Sequence, residues 1–205
     1  MSDQDRPQIY LITPAELSLD SYSDQLARVL DTIDIACLRL ALSSQDASYI
    51  SKAADLCREI AHARDVAIVI EDHVGMVERL GLDGVHLKDG ARSVRKVRKE
   101  LGADAIVGAF CGASKHDGMS AGEAGADYIS FGPLRDDGLG DGSVADVDLF
   151  GWWSEMIEVP VVAEGGLDKA TIAQFAPVTD FFGIGAEIWG QDDPSAALRA
   201  LLAGL

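Results

Sequence analysis

Short apolar runs rich in β-branched residues alternate with amphipathic stretches along the whole chain. The runs are 8–13 (QIYLIT), 35–40 (IACLRL), 66–70 (VAIVI), 84–87 (GVHL), 105–110 (AIVGAF), 128–131 (YISF), 159–163 (VPVVA) and 180–185 (DFFGIG). Between and after them, helical spacing of apolar positions covers 20–32, 46–63, 73–80, 91–102, 117–125, 146–157, 168–176 and 194–204. Strands separated by helical crossovers form parallel units buried on both faces. Eight units in 205 residues predict a single (β/α)8 barrel over residues 1–205, at the short end of that fold's range. A doubly wound open sheet is the competing arrangement. It calls for fewer strands and a Gly-rich turn after the first, where this chain has YLITPAE. The units share punctuation: LGLDGVHL (80–87) and AGEAGADYISF (121–131) each read helix end, Gly, Asp, buried strand, and LGADAIVG (101–108) repeats this weakly. Gly at a helix end takes the left-handed conformation that closes the last turn.

Composition narrows the functions open to such a barrel. With 34 acidic against 17 basic residues the formal charge is −17, which repels nucleic acid and anionic membranes. The most basic stretch, 92–99 (RSVRKVRK), reads as a solvated helix face or an anion-attracting rim. No apolar run approaches the roughly 20 residues of a membrane span, and the polar start MSDQDRPQ is not a signal peptide. Cys37, Cys57 and Cys111 are odd in number and widely spaced, which fits a reducing cytoplasm rather than a disulfide framework. No CxxC pair or HExxH sequence offers a zinc site.

Candidate chemistry lies where strands end, because a barrel of this type builds its site at the carboxyl ends of its strands. The run ending at Ile70 stops at Glu71-Asp72-His73, and the run ending at Leu87 stops at Lys88-Asp89-Gly90. Both should face one mouth. Asp72 and Asp89 are then placed to share a hard divalent cation with a substrate phosphate; otherwise Asp72 caps the third helix and Asp89-Gly90 makes a turn. His86, inside its strand, reads as a packed histidine. Towards the C-terminus, Gly165-Gly166 follow one strand, and Gly183 and Gly185 punctuate the next. Glycines let backbone N–H groups approach an anion, so these loops are candidate phosphate binders, with plain tight turns as the alternative. Cys37 and Arg39 alternate on strand two and should share a face; Arg39 is placed either for diphosphate or for a salt bridge inside the barrel. Cys111 ends strand five, as an inert thiol or as a reactive one, and no histidine is evidently paired with it. Lys115 and His116 read as surface residues. The Gly- and Asp-rich segment 133–148 reads as a loop able to act as a lid, without EF-hand spacing.

YLIT, IEDH, DGVHL, AGEAGADYISFGP, VPVVAEGG and GIGAEIW fall in the order found in thiamine phosphate synthases, and the chain resembles that family over nearly its whole length. The superfamily also contains a thiazole tautomerase branch. The resemblance implies a (β/α)8 barrel that joins an aminopyrimidine methyl diphosphate to a thiazole phosphate, uses Mg2+ and releases diphosphate. It implies Asp72 as a metal-binding aspartate and Arg39 as a substrate-facing arginine; Lys88 joins them in the expected catalytic set as a substitute cation, and Asp89 as a substitute second metal ligand. It also implies substrate contacts at Glu71 (where the family usually has Asn), Cys111, Gly165, Gly166, Ile184, Gly185 (usually Ser) and Ala186. The chain departs from the pattern in several places. Cys37 stands for a Gln and Ala41 for a Lys in strand two. Ala91 takes the place of the second metal aspartate, with Asp89 two residues away. RDDGLGDG replaces a Thr-x-Thr-Lys element, and Gly112 replaces the tautomerase histidine. The monophosphate half of the site is kept and much of the diphosphate half is lost, unless Lys88, Arg39 or Arg135 compensates. The expected partners are therefore phosphorylated small molecules, with a homo-oligomer left open. A barrel enzyme on another phosphorylated heterocycle, or a non-catalytic binder of a thiamine intermediate, are the other readings.

Overall fold

In the computed structural model, which describes residues 6–136 and 142–205, eight parallel strands close into a barrel in chain order. They are β1 (Gln8–Ile12), β2 (Ile35–Leu40), β3 (Ala67–Glu71), β4 (Gly84–Leu87), β5 (Ile106–Phe110), β6 (Tyr128–Phe131), β7 (Val161–Glu164) and β8 (Phe181–Ile184). Leu11 of β1 sits opposite Leu38 of β2 on one side and Ile184 of β8 on the other, which closes the ring. The crossovers carry α1 (Leu19–Leu30), α2 (Ala47–His62), α3 (Val77–Leu80), α4 (Val94–Leu101), α5 (Lys115–Ala124), α6 (Val147–Met156) and α7 (Lys169–Phe175); α8 (Ala186–Trp189) and α9 (Pro194–Leu201) follow β8. The doubly wound alternative is thereby excluded.

Helix starts follow side-chain chemistry. Asp46, Ser114, Asp146, Asp168 and Asp193 each accept a backbone N–H from the first turn of the helix they precede. The stretch expected as one helix over 73–80 is instead a 3-10 turn, Val74–Met76, followed by the single turn of α3.

Strand parity divides the core. Outward-facing Leu11, Leu38, Ile68, Val85, Val107, Ile129, Val161 and Phe182 pack between barrel and helices, while Tyr10, Cys37, Val69, Tyr128 and Val162 fill the interior. Two interior glycines make room for larger neighbours. A Cβ on Gly108 would lie 2.0 Å from Cζ of Tyr128, and one on Gly183 would lie 2.9 Å from Cβ of Glu164. Gly183 was grouped by sequence with the phosphate loops; it lies within β8, and its missing side chain is what admits Glu164.

The helix-end, Gly, Asp repeat has a specific purpose. In its two clear copies Asp83 and Asp127 accept the N–H of Ile68 and Val107, at or near the start of the preceding strand, each at 2.7 Å, and Asp180, which no such glycine precedes, does the same for Val161 at 2.8 Å. Each therefore ties two neighbouring strands together at the amino-terminal end of the barrel. The basic stretch 92–99 is likewise partly structural: Arg98 donates to the carbonyls of Gly125, Gly102 and Ala105 and pairs with Asp127, so it is not a free rim cation.

Candidate functional site at the carboxyl ends of the strands

Alternation along β2 turns Cys37 and Arg39 into the barrel, as the sequence spacing predicts. Arg39 is only 6% exposed. Its Nη1 lies 2.9 Å from Oε2 of Glu164 and its Nε 3.3 Å from Oε1 of Glu71, so the guanidinium is held between carboxylates from β7 and β3. Neither Nε nor Glu164 Oε2 makes an aligned hydrogen bond, so these contacts are charge pairing. Arg39 also lies over the Tyr10 ring, 5.6 Å from its centroid. Burial acts to lower the pKa of this guanidinium, but Glu164 and then the flanking tyrosines and Glu71 outweigh it, and the net shift is upward. Of the two placements open for Arg39, the structure has the internal salt bridge.

A guanidinium has only donors, so the 2.8 Å contact between Arg39 Nη1 and His86 Nε2 makes that ring nitrogen the acceptor. Nδ1 must then carry the proton and donate to the Tyr128 hydroxyl at 2.9 Å, which in turn lies 2.5 Å from the Tyr10 hydroxyl. His86 is a packed histidine, as expected. Burial, followed by the charges of Arg39 and Lys88, holds its pKa well below the ordinary value of 6.5. The neutral tautomer is thereby locked.

Glu71 carries this network to the rim. Its second oxygen, Oε2, lies 3.2 Å from Nζ of Lys88, whose side chain is 55% exposed. Lys88 also approaches Asp72 Oδ2 at 3.6 Å. Burial acts to lower the Lys88 pKa, and Glu71 and Asp72 more than reverse that. Asp72 adopts a left-handed backbone (φ 55°) and accepts the Lys88 N–H at 2.9 Å through Oδ1. Asp72 is therefore not a helix cap; it stitches the end of β3 to that of β4. Asp89 accepts the Ser93 hydroxyl at 2.6 Å, and Gly90 takes a positive φ of 65°, which is the turn anticipated there.

The expected metal pair is present as neighbours only. Asp72 and Asp89 line one groove of about 560 Å³ together with Lys88, Lys96 and Glu100. Asp72 Oδ1 accepts the Lys88 N–H and Oδ2 lies 3.6 Å from the Lys88 ammonium, while Asp89 Oδ2 accepts the Ser93 hydroxyl, so each carboxylate already has a partner from this chain with which a divalent ion would have to compete. Among the described residues no three His, Cys, Asp or Glu side chains converge on a metal position.

Gly165, Gly166, Gly185 and Ala186 line a cavity of about 850 Å³ over the barrel, together with Arg39, Glu164 and Glu187. Gly165 and Gly166 have φ of 85° and 81°, the left-handed region that favours glycine. Ile184 has its side chain in the outer core and offers the site only its backbone. Arg135 packs over Gly166 and pairs with Asp168, the cap of α7. Cys111 belongs to an adjoining cavity of about 580 Å³, lined also by Lys88 and Asp89. Burial pushes its thiol up to about 12, and that of Cys37 likewise, which removes both as nucleophiles at neutral pH. Within the acidic segment that stands in place of the Thr-x-Thr-Lys element, residues 137–141 lie outside the described residues. Sequence reasoning passed over Glu164 and Glu187. The first carried the same signal as Glu71, a carboxylate closing an apolar run.

A family model for thiamine monophosphate synthase matches residues 9–185, nearly the whole barrel. This chain belongs to that family. It is 37% identical to the thiamine-phosphate synthase of Rhodospirillum centenum over 194 residues, 93% of this chain and 94% of the relative. It is 32% identical to that of Erythrobacter litoralis, covering 92% and 91%. Among solved structures, a thiamine phosphate pyrophosphorylase from Pyrococcus furiosus superposes with a TM-score of 0.80 at 20% identity, covering 95% and 93% of the two chains. A 3-hexulose-6-phosphate synthase superposes at 0.68 with 18% identity, which supports the fold alone. No helix among the described residues is long and apolar enough to cross a membrane.

Proposed function

We propose that the protein is a transferase of thiamine biosynthesis that joins an aminopyrimidine methyl diphosphate to a thiazole phosphate. The bond between the pyrimidine methylene and the diphosphate oxygen breaks, and diphosphate leaves with the electron pair. The thiazole nitrogen lone pair then forms the new C–N bond, giving thiamine phosphate and free diphosphate. The observation that carries this reading is the 37% identity over 93% of the chain to a thiamine-phosphate synthase. The 850 Å³ cavity between the Gly-rich loops and Arg39 is consistent with it.

In this reading the loops after β7 and β8 take the thiazole phosphate through backbone N–H groups, with Arg135 beside them. Lys88, the exposed cation held at the rim by Glu71 and Asp72, faces the departing diphosphate. Arg39, committed to Glu71 and Glu164, positions that arrangement. Charge balance favours a second reading as well. Around Arg39 and Lys88 stand Glu71, Asp72 and Glu164, three carboxylates against two cations. That balance suits an acceptor or leaving group carrying less charge than diphosphate, on another phosphorylated heterocycle.

The test is formation of thiamine phosphate and diphosphate by the purified protein from the two substrates. Lys88→Met should lower kcat/KM by about 10- to 100-fold, the worth of one charge-assisted hydrogen bond. Thiazole phosphate binding without any thiamine phosphate formed would reject the first reading in favour of the second.

A further inference from the structure

The two Gly-rich loops already hold an anion, and it comes from this chain. The carboxylate of Glu187 accepts the Gly185 N–H at 2.9 Å through Oε2 and the Leu167 N–H at 3.2 Å through Oε1. The Gly185 bond alone would be a local turn contact, reaching back two residues. The Leu167 bond is different: it comes from the loop after β7, twenty residues away in sequence, so one carboxylate spans donors from both loops. Leu167 is buried and Glu187 is partly exposed along the 850 Å³ cavity, in the same lining as Gly165, Gly166, Gly185 and Ala186. α8, which carries Glu187, is fixed by Trp189 Nε1 donating to the Ile12 carbonyl at 2.6 Å. Its backbone is therefore held, so the Glu187 carboxylate can leave the two amides only by rotation of its own side chain.

Two carboxylate oxygens on two convergent amides reproduce the way a phosphoryl group would use them. We infer that Glu187 is a tethered competitor that decides which ligands these loops accept: a phosphoryl group binds only in the fraction of molecules whose Glu187 has swung out. This rests on the reading that the loops take a phosphate ester. Two effects oppose an incoming phosphate in the resident state. The donors are occupied, and the competing carboxylate carries the same sign of charge. The apparent affinity falls by the fraction of molecules in the open state. If that fraction is roughly 1–10%, removing the carboxylate tightens phosphate binding by about 10- to 100-fold.

The experiment titrates inorganic phosphate into the full chain and into Glu187→Gln and Glu187→Ala, by calorimetry at constant ionic strength set with chloride. Circular dichroism checks that each variant is folded. The expected result is phosphate binding about 10- to 100-fold tighter in Glu187→Ala. Glu187→Gln should fall between, because its amide oxygen can keep one of the two N–H groups. If Glu187→Ala does not fold, the isosteric Glu187→Gln still carries the comparison. Equal affinity in all three proteins, or weaker binding in the variants, would overturn the competitor while leaving the phosphate-loop reading intact. No phosphate binding in any folded variant would overturn both.

Discussion

Replacing Arg39 by Met should destabilise the fold heavily, and the structure says by how much and why. Arg39 lies 2.9 Å from Glu164 and 3.3 Å from Glu71 at 6% exposure, so its removal leaves a buried carboxylate on β7 without its counter-charge. Breaking a buried pair from one side costs about 3–5 kcal/mol, because the remaining charge stays desolvated. At roughly 2–4 °C per kcal/mol for a chain of this length, the melting temperature should fall by about 6–20 °C. Urea unfolding followed by circular dichroism measures the loss directly. The double variant Arg39→Met/Glu164→Gln separates the causes. If the stranded charge is the problem, neutralising Glu164 returns part of the stability. If packing on Tyr10 and the bond to His86 are the problem, the second change adds a further loss. An Arg39→Met protein within about 1 kcal/mol of the parent, below the ordinary range for an unpaired buried charge, would refute the reasoning.

His86 supplies a pH dependence. Its folded pKa lies below 6.5, so as the pH falls under 6.5 the unfolded imidazole binds a proton that the folded one does not. Stability should drop by up to about 1.4 kcal/mol per pH unit between pH 6.5 and 5, and His86→Gln should flatten the curve; parallel curves would contradict the neutral, locked imidazole. Gly108→Ala forces a methyl against the Tyr128 ring and should cost about 1–3 kcal/mol or more in urea unfolding. Burial pushes Cys37, Cys57 and Cys111 up to about 12, so a thiol reagent at pH 8 should label the native protein slowly at all three and promptly in urea. In kinetics, Arg39→Lys combined with Lys88→Met should be no worse in kcat/KM than Lys88→Met alone if Arg39 acts through Lys88. Multiplying losses would mean that Arg39 meets the substrate itself.

The barrel was legible because a parallel strand buried on both faces must be a short continuous apolar run, and eight such runs have few ways to close. Helix starts were legible as aspartates ahead of apolar periodicity, as at Asp46, Asp146 and Asp168. The stretch 73–80 misled because its periodicity survives a break: Gly75 lies in the 3-10 turn and α3 manages one turn. At the site, parity identified which strand residues point inward, and abrupt polar endings marked Glu71 and Lys88. Pairing was not legible. Arg39 meets Glu164 across the interior from a strand 125 positions later, and nothing in either local sequence names the other. Glu164 and Glu187 were passed over because the glycines beside them drew the reading to backbone donors, and a donor's natural partner was assumed to be a ligand. The Gly-Asp repeat was visible as a pattern, but the bonds of Asp83 and Asp127 to the neighbouring strand needed coordinates.

These contacts form one connected path. It begins at the Tyr10 and Tyr128 hydroxyls in the barrel floor, passes through the neutral ring of His86 to Arg39, crosses Glu71, and ends at the ammonium of Lys88. Each member is fixed by its neighbour's chemistry. The arginine can only donate, so the histidine must accept; the histidine must then donate onward; the glutamate has one oxygen for each cation. A path of this kind gives the exposed lysine a defined place on a strand end that would otherwise leave a long, flexible side chain free. It also accounts for losses that looked disabling in the sequence alone. Cys37 removes a polar contact from strand two, but it packs among Tyr10, Val69, Tyr128 and Val162, where an apolar side chain seals the floor beneath Arg39. A sealed floor lowers the local dielectric and strengthens every charge pair above it. The chain has therefore not simply lost cations from an anion site. On the proposed reading, charge recognition at this end of the barrel falls to one rim lysine, whose place is set by Glu71 and Asp72 and, behind them, by the buried network.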